Sequence, residues 1–146
     1  MDVKIREIPP ADRSLWADLR HHLWPEESAA EHLAYLERVQ KDGVLWAYAA
    51  EDGAQLVGFA EVSVRAYANG CEQQPVPFLE GIWVASSARR RGIARGLIAY
   101  VSAVLRVRGF SELCSDALLS NTVSHAAHHA WGFAETERVV YFRKPV

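Results

Sequence analysis

The sequence predicts one α/β domain of the mixed, α+β kind. Two observations carry this. Hydrophobic periodicity alternates between strand-like and helix-like stretches along the whole 146 residues, with no linker, repeat or low-complexity segment to divide them. An apolar strand, 76–85, runs into Arg89-Arg90-Arg91-Gly92-Ile93-Ala94 and then into a helical pattern, so a glycine-bearing helix start follows directly on a strand.

Taken in order, residues 3–8 alternate like a strand and stop at Pro9-Pro10. Asp12 is placed to cap a first helix whose Leu15, Trp16, Leu19 and Leu23 share a face, ending at Trp24-Pro25. Ser28-Ala29-Ala30-Glu31 has the spacing of a capping box and opens a second helix, closed near Gly43. Strands over 44–50 and 55–67 flank Asp52-Gly53, a hairpin signal. Asn69-Gly70 marks a turn before the 76–85 strand. Beyond the arginines come a helix over 92–108 with Gly109 past its end, a short strand over 112–116, a helix over 121–131 ended by Gly132, and a last strand over 137–144.

Composition excludes several classes. Half the residues are hydrophobic and 23% charged, ordinary for a globular chain. A net charge of −2 argues against nucleic acid as a partner, and the arginines at 89–91 and 95 form a local patch suited to a single anionic ligand. No apolar run approaches the ~20 residues of a membrane span, and the N-terminus has no signal-peptide core. Cys71 and Cys114 lack metal-binding or redox-motif spacing and read as free thiols in a reducing cytoplasm. His125 and His129 stand four apart but without the glutamate of H-E-x-x-H, so no metal is expected. His21 and His22 read as surface residues.

A helix N-terminus presents unpaired N–H groups and partial positive charge, which suits a pyrophosphate, and Gly92 with the small Ala94 lets that anion come close. The chain has neither G-x-x-x-x-G-K-[ST] nor a G-x-G-x-x-G after its first strand, so nucleoside-triphosphate and dinucleotide folds do not fit. Arg89-Arg90-Arg91-Gly92-Ile93-Ala94 does resemble the acetyl-coenzyme A signature of the GNAT acyltransferase superfamily, and the element order matches that superfamily across essentially the whole chain.

The resemblance implies a central, mostly antiparallel sheet with one splayed parallel strand pair and four flanking helices. It also implies a coenzyme site of Ile82, Val84, Arg89, Arg91, Gly92, Ile93, Ala94, Arg95 and Asn121. The amide of Val84 would polarise the thioester carbonyl. Asn121 to Phe133 is similar to the superfamily's second coenzyme motif, in which a tyrosine four residues before the Gly-Phe pair protonates the leaving thiolate. Here His128 stands in that slot, and imidazole can deliver a proton.

An amine acceptor has to lose a proton before it attacks, and carboxylates can hold the ammonium and take that proton. Glu80 breaks an otherwise apolar strand, where an unpaired carboxylate is costly; edge exposure or a partner arginine is the alternative. Asp116, Glu72 and Glu137 lie at strand ends or in loops, and Trp24 and Tyr67 are aromatic counterparts able to stack on sugars or attract ammonium groups.

Leu23-Trp24-Pro25, Tyr67 with Asn69-Gly70-Cys71-Glu72, Ser115-Asp116 and Gly132 to Lys144 together resemble the aminoglycoside 6'-N-acetyltransferases of the chromosomal, dimeric type. That resemblance implies acetyl transfer to an aminoglycoside 6'-amine, antibiotic resistance, and a cytoplasmic homodimer whose last strands take part in pairing. It places Trp24, Tyr67, Glu72, Glu80, Asp116 and Glu137 at the drug, with Asp116 the first choice and Glu80 the second for accepting the amine proton. A GNAT enzyme acting on a polyamine or peptide N-terminus, and a noncatalytic coenzyme A-binding module, are the other two readings.

Overall fold

A computed structural model describes residues 2–39 and 43–146. Strands β1 (Val3–Glu7), β2 (Leu45–Asp52), β3 (Gln55–Arg65) and β4 (Val76–Val84) form one sheet in the order β1-β2-β3-β4, antiparallel throughout. Helices α1 (Arg13–Leu23) and α2 (Ala29–Val39) cover one face; α3 (Ile93–Val107) covers the other, and α4 (Thr122–Ala130) follows it.

The two cores follow from the two-residue side-chain period of a strand. On β2 and β3, Ala47, Ala49 and Phe59 meet Trp16, Leu19 and Leu36 of α1 and α2. Tyr48, Ala50, Ala60 and Val62, one residue out of phase, meet Ile93, Leu97 and Val101 of α3. Because both faces are covered, the centre of β3 is an unbroken buried run rather than an alternating one.

The capping box holds, with Ser28 N–H donating to Glu31 and Glu31 N–H donating to Ser28 Oγ. The link from α2 to Gly43 includes residues 40–42, which lie outside the described residues. Asp12 occupies the N-cap of α1 but makes no side-chain cap. A 3-10 turn, Pro10–Asp12, runs straight into the helix, and Asp12 N–H bonds Pro9 O instead.

Two expected strands are absent as ladders. Over 112–116 only Cys114 pairs, in parallel with Phe78, its N–H bonding Pro77 O and its carbonyl accepting from Leu79 N–H. The cause lies in β4. Glu61 faces Gly81 and Val62 faces Leu79, so Glu80 is an extra residue, and such a bulge bends the strand where the parallel contact stops. Residues 137–144 join no strand pairing among the described residues. A strand needs a second backbone to satisfy its amides, and here Val140, Tyr141 and Phe142 are 74%, 76% and 94% exposed.

Candidate active site

The segment expected to hold the coenzyme lies at the end of β4. Ala85 N–H bonds Val57 O, so by the alternation of an antiparallel ladder Val84 and Ile82 turn their amides away from β3, toward the side where the parallel contact has ended. The chain then passes through a 3-10 turn, Ser86–Ala88, and the three arginines into α3.

Gly92 caps α3 at φ +76°, and no side chain caps the helix. The first intrahelical bond runs from Gly96 N–H to Gly92 O, which leaves the amides of Ile93, Ala94 and Arg95 without intrahelical partners. The Ile93 side chain is buried in the core and anchors this turn. No atom lies within 4 Å of where a Gly92 side chain would start, so the space over the amides is open. Open donors at a helix start fit a pyrophosphate. Arg89 is exposed, and its Nε donates to Val84 O at 3.3 Å. Arg91 Nη2 is 2.6 Å from Asp52 Oδ2, so this arginine ties the loop to the β2–β3 hairpin as well as contributing charge.

A second feature is a cleft of about 620 Å³ between the β4–Cys114 junction, α4 and the C-terminal segment. Arg65, Tyr67, Ser115, Asp116, His128 and Glu137 all line it. Gly70 permits the C-terminal segment to dock, since a side chain there would collide with Thr136 Oγ1. The structure therefore brings Tyr67, Asp116, Glu137 and His128 of the expected residues into one cleft. Trp24, Glu72 and Glu80 do not line it.

Each of these three has its own partner. Trp24 packs on Gly81. Glu72 is exposed, its N–H donating to Glu112 Oε1 at 2.9 Å. Glu80 meets the partner-arginine alternative: Arg65 holds it through two bonds of 3.0 and 2.9 Å, and Ser63 Oγ donates to it as well. Those bonds to Glu80, with the nearby Asp116 carboxylate, keep Arg65 more firmly protonated than usual. Glu80 is thus an ion-paired carboxylate, with both oxygens engaged by Arg65 and one also by Ser63.

His128 sits on α4 with its ring between Trp131 and Phe133, both centroids 5.1 Å away. Its Nδ1 lies 2.8 Å from Ser124 O and its Nε2 2.7 Å from Ser115 Oγ. Asn121 caps α4, Oδ1 accepting from Ser124 N–H at 3.1 Å, so that oxygen is committed to the helix. His125 Nε2 bonds Leu118 O.

Sequence reasoning missed the support under Trp24. Glu61, 2% exposed, accepts from Arg20 and from Trp16 Nε1. Arg20 Nε donates to His32 Nδ1 at 3.1 Å, His32 Nε2 donates to Trp24 O at 2.9 Å, and the Arg20 guanidinium lies 4.6 Å from the centre of the Trp24 ring. Burial pushes the Glu61 carboxyl up, against the pull of Arg20 and Trp16. The signal was present: Glu61 interrupts Gly58-Phe59-Ala60-Glu61-Val62 just as Glu80 interrupts its own strand.

The free-thiol expectation is overturned. Cys71 and Cys114 are joined as a disulfide, their Cα atoms 6.4 Å apart, because Cys114 is held against β4 and the Asn69-Gly70 turn brings Cys71 back to it. With Glu112 they form the metal-capable group found among the described residues, but its sulfurs are bonded to each other and its carboxylate accepts from the Glu72 and Gln73 amides. No helix among the described residues is long and apolar enough to cross a membrane.

Comparison with known proteins bears on this geometry. Residues 10–133 match the acetyltransferase (GNAT) family. An aminoglycoside N(6')-acetyltransferase type 1 from Stenotrophomonas maltophilia is 44% identical over 97% of this chain and 93% of its own. One from Serratia marcescens is 48% identical over 88% and 90% respectively. The solved structure of AAC(6')-Iy with the bisubstrate analogue CoA-S-monomethyl-acetylneamine superposes with a TM-score of 0.89 at 39% identity, covering both chains completely. AAC(6')-Ih from Acinetobacter baumannii gives 0.87 at 39% identity over 99% of each chain.

Proposed function

The chain belongs to the acetyltransferase (GNAT) family, and from that premise we infer that it transfers acetyl from acetyl-CoA to the 6'-amine of aminoglycosides. The amine attacks the thioester directly. The observation that carries this is the likeness, over the full length of both chains, to an enzyme solved with coenzyme A and an aminoglycoside fragment joined in one molecule.

Acetyl-CoA is the cosubstrate. Its pyrophosphate is received by the amides of residues 93–95 over Gly92, with Arg89, Arg91 and Arg95 supplying charge; its pantetheine arm runs along β4 past the Ile82 amide, and the Val84 amide polarises the thioester carbonyl. The acceptor enters the cleft as a polycation. Asp116 and Glu137 draw it in, and Asp116 takes a proton from the ammonium, directly or through water, to free the nucleophile. Glu80 holds Arg65, and Trp24, Tyr67 and Glu72 form the outer contacts to the drug. His128 serves the leaving thiolate. Acetylation removes one positive charge from the drug, the chemistry by which such an enzyme confers resistance.

The protein works as a homodimer. What supports pairing is the apolar run Val139-Val140-Tyr141-Phe142, exposed with no ladder partner among the described residues. Sedimentation should give twice the chain mass, and Phe142→Glu should shift it toward the monomer; a monomeric wild type would end this part of the reading.

Thiol release from acetyl-CoA, measured with matched aminoglycosides bearing a 6'-amine or a 6'-hydroxyl and with polyamines and small peptides in parallel, tests the activity. Turnover confined to the 6'-amino drugs is expected. Turnover only with the other amines would reject the drug, and none with any acceptor would leave a coenzyme A-binding module.

A further inference from the structure

Ser115 and His128 form a hydroxyl–imidazole pair whose polarity can be read from its neighbours. Ser124 O is a backbone carbonyl and only accepts, so the His128 Nδ1 that faces it at 2.8 Å carries a hydrogen. Ser124 Oγ, 3.2 Å from the same nitrogen, can accept from that hydrogen as well. In the neutral ring Nε2 therefore presents its lone pair, and Ser115 Oγ, 2.7 Å away, donates its hydrogen to it. Trp131 and Phe133 flank the ring and hold it in this orientation.

The pair stands at the right place. Cys114 is the last residue bonded to β4, so Ser115 is the first residue of the diverging segment, at the mouth of the gap beside which the Ile82 and Val84 amides turn outward. Ser115 and His128 both line the cleft with Asp116. A neutral His128 has no Nε2 hydrogen of its own to give to a thiolate, so the imidazole can act as an acid only after it has first taken up a proton.

We propose that Ser115 is a proton relay between the reacting atoms and His128, moving one proton from the attacking nitrogen to the departing sulfur. This rests on the acetyl transfer inferred above. Two protons leave the substrate nitrogen. Asp116 takes the first, before attack. When the nitrogen bonds the acetyl carbon its second proton passes to Ser115 Oγ while the Ser115 hydrogen moves to His128 Nε2, giving an imidazolium steadied by the Ser124 carbonyl. As the C–S bond breaks, its electron pair stays on sulfur; the imidazolium returns its proton to Ser115, and Ser115 passes one to the thiolate. The products are amide and coenzyme A thiol, the ring ends as it began, and Asp116 releases the first proton to solvent.

The test is the full steady-state kinetics of Ser115→Ala, Ser115→Thr, His128→Ala and the Ser115→Ala/His128→Ala double variant, with acetyl-CoA and a 6'-amino aminoglycoside. A general acid–base group contributes ~10²–10⁴-fold, so Ser115→Ala should lower kcat at least tenfold with both KM values within about threefold. Ser115→Thr, which keeps the hydroxyl, should recover most of it. Because the two act as a unit, the double variant should be no slower than the slower single one. A kcat loss below tenfold in Ser115→Ala, a Thr variant as slow as the Ala variant, or single losses that multiply in the double variant would each overturn the relay. Failure of the wild type to turn over any 6'-amino drug would overturn the underlying reading instead.

Discussion

The indole of Trp24 lies over Gly81 in space that any other residue would claim: a Cβ at Gly81 would come within 2.8 Å of Trp24 Cζ2 and would also collide with Leu23. Arg20 stacks on the same ring, and His32 holds the Trp24 carbonyl. Trp24 is set by the strand below it and the buried charges behind it.

Gly81→Ala should therefore displace Trp24. Overpacking of this kind costs ~1–3 kcal/mol, and the KM for the aminoglycoside should rise about tenfold while that for acetyl-CoA stays within twofold. Steady-state kinetics with each substrate varied separately decides it. An unchanged drug KM would remove Trp24 from the acceptor site.

Gly92→Val should act on the other substrate. At φ +76° a branched residue is strained, and its side chain would fill the open space over the α3 amides. The KM for acetyl-CoA should rise at least tenfold with the drug KM little changed; a normal acetyl-CoA constant would mean the pyrophosphate binds elsewhere.

Asp116→Asn and Glu80→Gln separate the two candidate proton acceptors. Asp116 lines the cleft, whereas Glu80 is engaged by Arg65 and Ser63. Asp116→Asn should lower kcat by about 10²-fold at neutral pH, and Glu80→Gln by less than tenfold. The reverse order would transfer the role to Glu80.

The Cys71–Cys114 disulfide spans 43 positions, for which loop-closure entropy gives ~4 kcal/mol. Under nonreducing conditions thiol titration of the denatured protein should find none. Adding reductant, or substituting Cys71→Ser, should lower Tm by several degrees. Two titratable thiols in unreduced protein would refute the bond.

Glu61 makes stability depend on pH in a definite direction. Burial raises its folded value above 4.5, so from pH 4.5 up to that folded value the native state holds more protons than the unfolded chain. Its contribution to stability falls as pH rises through this window and is level above it. Urea melts of wild type and Glu61→Gln should show their difference moving in favour of the Gln variant as pH rises. The opposite trend would show that attraction by Arg20 outweighs burial.

Local pattern was enough for much of this protein. The capping box at Ser28 and Glu31, the Asp52-Gly53 hairpin, the glycine start of α3 and the start of α4 after Asn121 depend on neighbours within a few residues, and all four are legible in the chain. The residues around Arg89 to Ala94, Ser115-Asp116 and Gly132 to Lys144 also carry the family resemblance, because each is a short contiguous segment that can be read without knowing the fold.

What pattern could not supply depends on residues far apart in the chain. Whether a strand-like segment becomes a strand is decided by a second backbone: the Glu80 bulge ends the pairing at Cys114, and residues 137–144 have no ladder partner among the described residues. Whether a carboxylate is available is decided by what lies against it; Arg65 is 15 positions from Glu80, and Arg20 is 41 from Glu61. The pairing of Cys71 with Cys114 and the hydrogen bond between Ser115 and His128 likewise exist only once the sheet edge, the Gly70 turn and α4 have been brought together. Local periodicity reports hydrogen-bonding and burial preferences along the chain; charge state, proton direction and access are properties of contacts, and only the tertiary structure creates those.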